Sequence, residues 1–114
     1  MDFETTMWPG AGGRDYEFRV HALPCERYGR ADRGVCIFAR EARGEWKAIL
    51  VEHGFIADMI RKAGTDACLN KKGASHVHVR LVDRPDACRR IIADLLAEHA
   101  EAFAPEGCNR KPAG

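Results

Sequence analysis

The sequence predicts a small single α/β domain whose central sheet is mainly antiparallel and flanked by helices. Three observations carry that expectation. The 114 residues are 46% apolar on the broad count and 31% charged, a composition that suits one globular domain with a core of its own. Two nearly continuous apolar runs lie on either side of a short polar loop, as in a hairpin covered on both faces. Further on, two stretches of helical periodicity flank a strictly alternating strand.

Taken in order, residues 1–14 read as a flexible N-terminal tail, because Pro9, Gly10, Gly12 and Gly13 cluster as backbone breakers after Trp8. The single domain then occupies 15–114. Trp8 is either an anchor for a partner, as aromatic side chains often are, or folds back on its own domain. Over 16–23 the residues Tyr16, Phe18, Val20 and Ala22 share one face of an edge strand that Pro24 ends. Residues 34–40 and 46–53 form the hairpin, joined by the polar loop from Glu41 to Glu45. The spacing of Phe55, Ile56, Met59, Ile60 and Ala63 predicts a short helix over 55–63, with Arg61 and Lys62 in its last turn and Gly64 as its stop. Residues 65–73 carry no decisive pattern. Over 75–82 the alternation is strict, so Val77, Val79 and Leu81 face a core while His76, His78 and Arg80 share the opposite face. Pro85 opens a helix over 85–103, with Cys88, Ile91, Ile92, Leu95, Leu96, His99 and Phe103 as its apolar stripe.

Charge and cysteine usage narrow the function classes. Eighteen Lys and Arg against 17 Asp and Glu leave a net charge of +1, so no global basic field draws the chain to nucleic acid or an anionic membrane, and such a contact has to be local. The five cysteines, Cys25, Cys36, Cys68, Cys88 and Cys108, form no Cys-x-x-Cys pair; their odd number and wide spacing suit reduced thiols. The first residues lack the basic and apolar regions of a secretory signal. The longest aliphatic run, Ala48 to Val51, is far below the roughly 20 residues of a membrane span. The expected location is the cytoplasm, with no membrane contact.

The order hairpin, helix, strand, long helix resembles the GIY-YIG nuclease domain, closest to its small stand-alone bacterial members. The resemblance rests on Gly34-Val35-Cys36-Ile37-Phe38, Ile49-Leu50-Val51-Glu52, Ile56-Ala57-Asp58-Met59-Ile60, Gly73 to Val79, and Cys108-Asn109-Arg110. It implies metal-assisted hydrolysis of a DNA phosphodiester. In that chemistry a glutamate holds a divalent cation, an arginine offsets charge on the phosphate and two tyrosines orient the water. Carried over, the tyrosines fall on Cys36 and Ile49, the arginine on Met59 and the glutamate on Ile92, while Gly34 and Asn109 persist. Hydrocarbon side chains cannot ligate a hard cation. The expectation is therefore a non-catalytic GIY-YIG-like binding or accessory module with a protein or DNA partner and no cofactor. One alternative is a divergent Mg- or Mn-dependent endonuclease using Glu52, His53, Arg61 and Glu98, the last lying nearer to Asn109 in sequence. The other is DNA binding without cleavage.

Remaining candidates weigh against plainer roles. Arg61, Lys62, Lys71, Lys72 and Arg80 could track a DNA backbone, against solvated helix ends and loops. His76 and His78 could bind a metal through two imidazoles, but no carboxylate or thiol at short spacing completes a set; the plain alternative is a polar strand face packed under a helix. Cys36 could be a reactive thiol beside one of the histidines, although a cysteine inside an apolar strand is more often inert core.

Overall fold

A computed structural model describes residues 4–111. Its sheet has five antiparallel strands: β1 (Glu4–Pro9), β2 (Asp15–Ala22), β3 (Arg33–Ala42), β4 (Glu45–Phe55) and β5 (His76–Leu81), in the spatial order β1-β2-β5-β3-β4. Two hairpins, β1–β2 and β3–β4, are thus bridged by the last strand. Helices α1 (Ile56–Ala63) and α2 (Ala67–Lys72) cover one face, and α3 (Pro85–Glu98) followed by a 3₁₀ turn at Ala100–Ala102 covers the other. The chain is an α/β domain, as its patterning predicts.

The continuous apolar run in β3 has its reason in this sandwich. Val35, Ile37 and Ala39 pack towards α3 with Phe18 and Leu95, while Cys36 and Phe38 pack towards α1 and α2 with Ile56, Met59 and Leu69. Every residue from Gly34 to Ala39 is buried, because both faces of the strand are covered. A register shift at Phe38/Ala39 sets Phe38 opposite Leu50 but Ala39 opposite Ala48. The extra residue, Ile49, bulges and changes the parity of β4, so Ala48 and Val51 both face α3 while Ile49 faces α1. Gly34 pairs with Leu81 of β5, beside the Arg80 backbone. A Cβ there would sit 2.0 Å from the Arg80 carbonyl oxygen, so only glycine fits.

Several boundaries depart from the sequence expectation. Residues 4–9, expected in a flexible tail, form edge strand β1, and the Pro9–Gly13 breakers make its turn, closed by the Gly10 N–H donating to the Arg14 carbonyl at 2.7 Å. The 16–23 strand is consequently an inner strand. Residues 1–3 lie outside the described residues. The undecided 65–73 stretch contains α2, whose first turn is capped by the Asp66 carboxylate accepting from the Leu69 N–H at 2.9 Å and which ends at left-handed Gly73. The last helix stops at Glu98 rather than 103. His99 leaves the helical region at φ −112°, ψ 66°, and its Nε2 lies 2.7 Å from the Pro9 carbonyl oxygen while its ring packs on Trp8. The expectation of reduced thiols fails for two cysteines: Cys68 of α2 and Cys108 are disulfide-bonded, whereas Cys25, Cys36 and Cys88 are free and buried. Among the described residues no helix is long and apolar enough to cross a membrane.

Candidate functional site

Cys36, Ile49, Met59 and Ile92, the residues on which the expected GIY-YIG roles fall, do not gather around one cleft. Cys36, Ile49 and Met59 belong to the cluster under α1, at 0%, 3% and 7% exposure. Ile92 packs beside the other cluster, on α3, across the sheet. Burial pushes the Cys36 thiol well above its ordinary value, reinforced by the Glu52 carboxylate and by Cys25, so this sulfur is held as a neutral thiol in apolar packing. These side chains do not fit a divalent cation, which takes oxygen ligands. Among the described residues no three His, Cys, Asp or Glu side chains are grouped so as to hold a metal ion.

Strand geometry also separates the alternative nuclease set. Glu52 pairs with Cys36 and His53 with Val35; side chains directly opposite in an antiparallel pair share a face, so Glu52 points to the α1 side and His53 to the α3 side. Burial raises the Glu52 carboxyl, the Asp66 carboxylate raises it further, and Lys62 opposes both. Arg61 is ion-paired with Asp58 at 3.0 Å on the exposed side of α1. Glu98 is exposed at the end of α3. The charged neighbours felt by Glu52 are thus Asp66 and Lys62, and not His53, Arg61 or Glu98.

Asn109 and Gly34 both have structural work in this chain. β4 is an edge strand, and Asn109 pairs with it as a short strand would. Its Oδ1 accepts from the Val51 N–H at 2.7 Å and its Nδ2 donates to the Val51 carbonyl at 2.9 Å. The Cys108 N–H donates to the Ile49 carbonyl at 2.7 Å alongside. The closing segment therefore covers an otherwise open edge. Asn109→Ala is expected to cost about 2 kcal/mol, since both Val51 groups lose their partner. Urea unfolding checks this, with Asn109→Asp, which keeps the acceptor, expected to lose less; equal stability of Asn109→Ala and the parent chain would contradict the edge-pairing role.

Comparison with family models, curated proteins and solved structures finds no match to this chain.

The expected DNA track is divided by the fold. Arg80 lies on the α3 side, where its Nη1 donates to the Glu17 carbonyl at 3.2 Å and its guanidinium stands over the Tyr16 ring; Arg61 and Lys62 ride on α1. Lys71 and Lys72 instead join Arg40 of β3 and Lys47 of β4 around a cavity of about 530 Å³, whose acids are Glu101 and Glu106. Lys72 Nζ donates to the Pro105 carbonyl. Arg40, Lys47 and Lys71 have no ion-pair partner among the described residues. Sequence reasoning missed this cleft because Arg40 and Lys47, cross-strand neighbours, are carried to α2 by the sheet.

The two strand histidines have different fates. His78 is fully buried, with Nδ1 accepting from the Trp8 indole N–H at 2.9 Å, which places its own proton on Nε2. Nε2 has no nitrogen or oxygen partner among the described residues; the Trp46 ring packs edge-to-face at 4.5 Å. Burial lowers His78 from 6.5 to about 4, helped by His76 and His21. His76 is half-buried, beside Trp46 and 2.8 Å from the Ser75 hydroxyl. Trp8, expected as a partner anchor or an inward-folded side chain, takes the second course at 4% exposure.

Proposed function

We propose that the chain is a non-catalytic, GIY-YIG-like binding or accessory module. The observation that carries this reading is the closed apolar packing of Cys36, Ile49 and Met59 with Ile56, Ile60 and Leu69. Hydrolysis of a phosphodiester needs an activated water and a centre that offsets charge on the phosphate. A neutral buried thiol, an isoleucine and a methionine offer neither. They fill volume and hold α1 to the sheet instead.

Binding of DNA without cleavage is the second reading, favoured by Arg40, Lys47 and Lys71 of the cleft, which have no ion-pair partner among the described residues. Phosphate contacts of this kind are sequence-independent and weaken steeply with salt. One experiment addresses both readings: labelled linear and branched DNA is incubated with the protein and Mg²⁺ or Mn²⁺, then run on native and denaturing gels. No cleavage is expected. Cleavage abolished by Glu52→Ala or Glu98→Ala would restore the endonuclease. A retarded band that fades with salt and is lost in Lys47→Ala/Lys71→Ala favours the DNA reading, and its absence favours a protein partner.

A further inference from the structure

Beside Ile92 the surface opens into an apolar trough of about 490 Å³ between α3 and the segment after it. Its apolar lining comes from Ile92, Ala93, Leu96 and Ala97 of α3 together with Phe103. Ala93 and Ala97 are exposed, while Ile92, Leu96 and Phe103 are half-buried. Polar atoms supply little of the wall, and none comes from an acid: its polar lining is the half-buried His53 with Arg89 and Arg110, both exposed. Neither arginine has an ion-pair or hydrogen-bond partner among the described residues. Lys111 adds a further cation beside the trough, 5.7 Å from the centre of the Phe103 ring.

We propose that this trough docks an acidic amphipathic peptide segment of a protein partner, with apolar side chains seated on Ile92, Leu96 and Phe103 and carboxylates paired to Arg89 and Arg110. The inference deepens the binding-module reading, on which it rests, by naming the partner's chemistry. A wholly apolar occupant would strip water from two guanidinium groups and return nothing, which is costly. Carboxylates repay that cost with bidentate, charge-assisted hydrogen bonds. A small ligand is the poorer fit, because pockets for small molecules enclose most of their ligand's surface and this trough is open along its length. The methyl side chains of Ala93 and Ala97 leave room for a peptide backbone to lie close to α3. Spaced apolar anchors entering a groove beside charged flanks are a recurring mode of peptide recognition.

The test is selection of a random dodecapeptide library on the full chain, followed by affinity measurement of individual synthetic peptides. Selected sequences are expected to carry net negative charge and two or more spaced large apolar residues. Ala97→Glu, an exposed helical substitution, is expected to weaken them by at least about tenfold, and Arg89→Glu/Arg110→Glu to shift the selected charge from acidic to basic. Arg30→Ala, at an exposed position that does not line the trough, is expected to leave their affinity unchanged. Selection of neutral or basic peptides by the parent chain, no selection at all, or affinity indifferent to Ala97→Glu would overturn the proposal. DNA cleavage by the same preparation would instead overturn the module reading while leaving the peptide affinities as measured, so the two failures are distinguishable.

Discussion

Loss of the Cys68–Cys108 bond, in Cys68→Ser/Cys108→Ser or by reduction, is expected to lower stability by about 4 kcal/mol. The two cysteines are 40 residues apart, and cross-linking a loop of that length removes chain entropy from the unfolded state worth about that much. The loop encloses β5 and all of α3, so the bond restrains half of the sheet's cover in the unfolded chain. In the folded state it ties α2 to the segment that edges β4, where the Cys108 N–H meets the Ile49 carbonyl and Asn109 meets Val51. For a domain of this size the loss corresponds to a fall in Tm of about 15 °C. Urea or thermal unfolding with and without dithiothreitol measures it. The double serine variant should match the reduced parent and be indifferent to reductant. A reductant effect of less than about 1 kcal/mol, within the range of a minor surface change, would mean that the cross-link contributes little. In a reducing cytoplasm, the location expected from the sequence, such a bond rarely persists. The reduced stability is then the relevant one, and the Asn109 contacts together with the Cys108 N–H bond to the Ile49 carbonyl hold the closing segment to β4.

How far the sequence reveals this architecture depends on whether each signal is local. The β3–β4 hairpin, α1 and β5 are legible because burial on both faces, helical spacing and strict alternation each act within one element. The split of β5 into Val77 and Val79 on one side and His78 and Arg80 on the other follows directly, whereas Leu81, expected in the core with the valines, is exposed at the strand's end. β1 is opaque because its one buried large residue, Trp8, is justified by a hydrogen bond to His78, 70 residues away. α2 is too short for periodicity to declare itself, with Leu69 as its buried residue. The disulfide follows from tertiary placement, which spacing does not encode. The same distinction governs the candidate sites. Cys36, Ile49 and Met59 pack in one cluster, but the sheet places Ile92 beyond reach of them. Adjacent Glu52 and His53 look like partners in the sequence, yet alternation sends them to opposite faces. The cationic cleft and the trough both combine distant segments, and composition near neutrality conceals each of them.

Acidification through the range from about 6.5 to about 4 is expected to destabilise the fold by about 3 kcal/mol through His78 alone. His78 is fully buried between Trp8 and Trp46, with His76 two residues along the same strand face. Nδ1 accepts the Trp8 indole hydrogen, so protonating this ring removes an acceptor and leaves a cation facing a donor in apolar surroundings. The folded state therefore holds the imidazole neutral down to about 4, whereas the unfolded chain protonates it near 6.5. Because the unfolded state binds the extra proton, stability is full above pH 6.5, falls as the pH drops, and stops falling on this account below about 4; the 2.5-unit separation gives the stated size. Urea midpoints between pH 4 and pH 8 measure the slope, and NMR titration of the His78 ring measures the folded value. His78→Gln, which keeps an acceptor for Trp8 but does not titrate, is expected to be less stable at pH 7 yet to show a flatter profile. An unchanged slope in that variant would assign the acid sensitivity to other groups and show that the buried imidazole does not govern it.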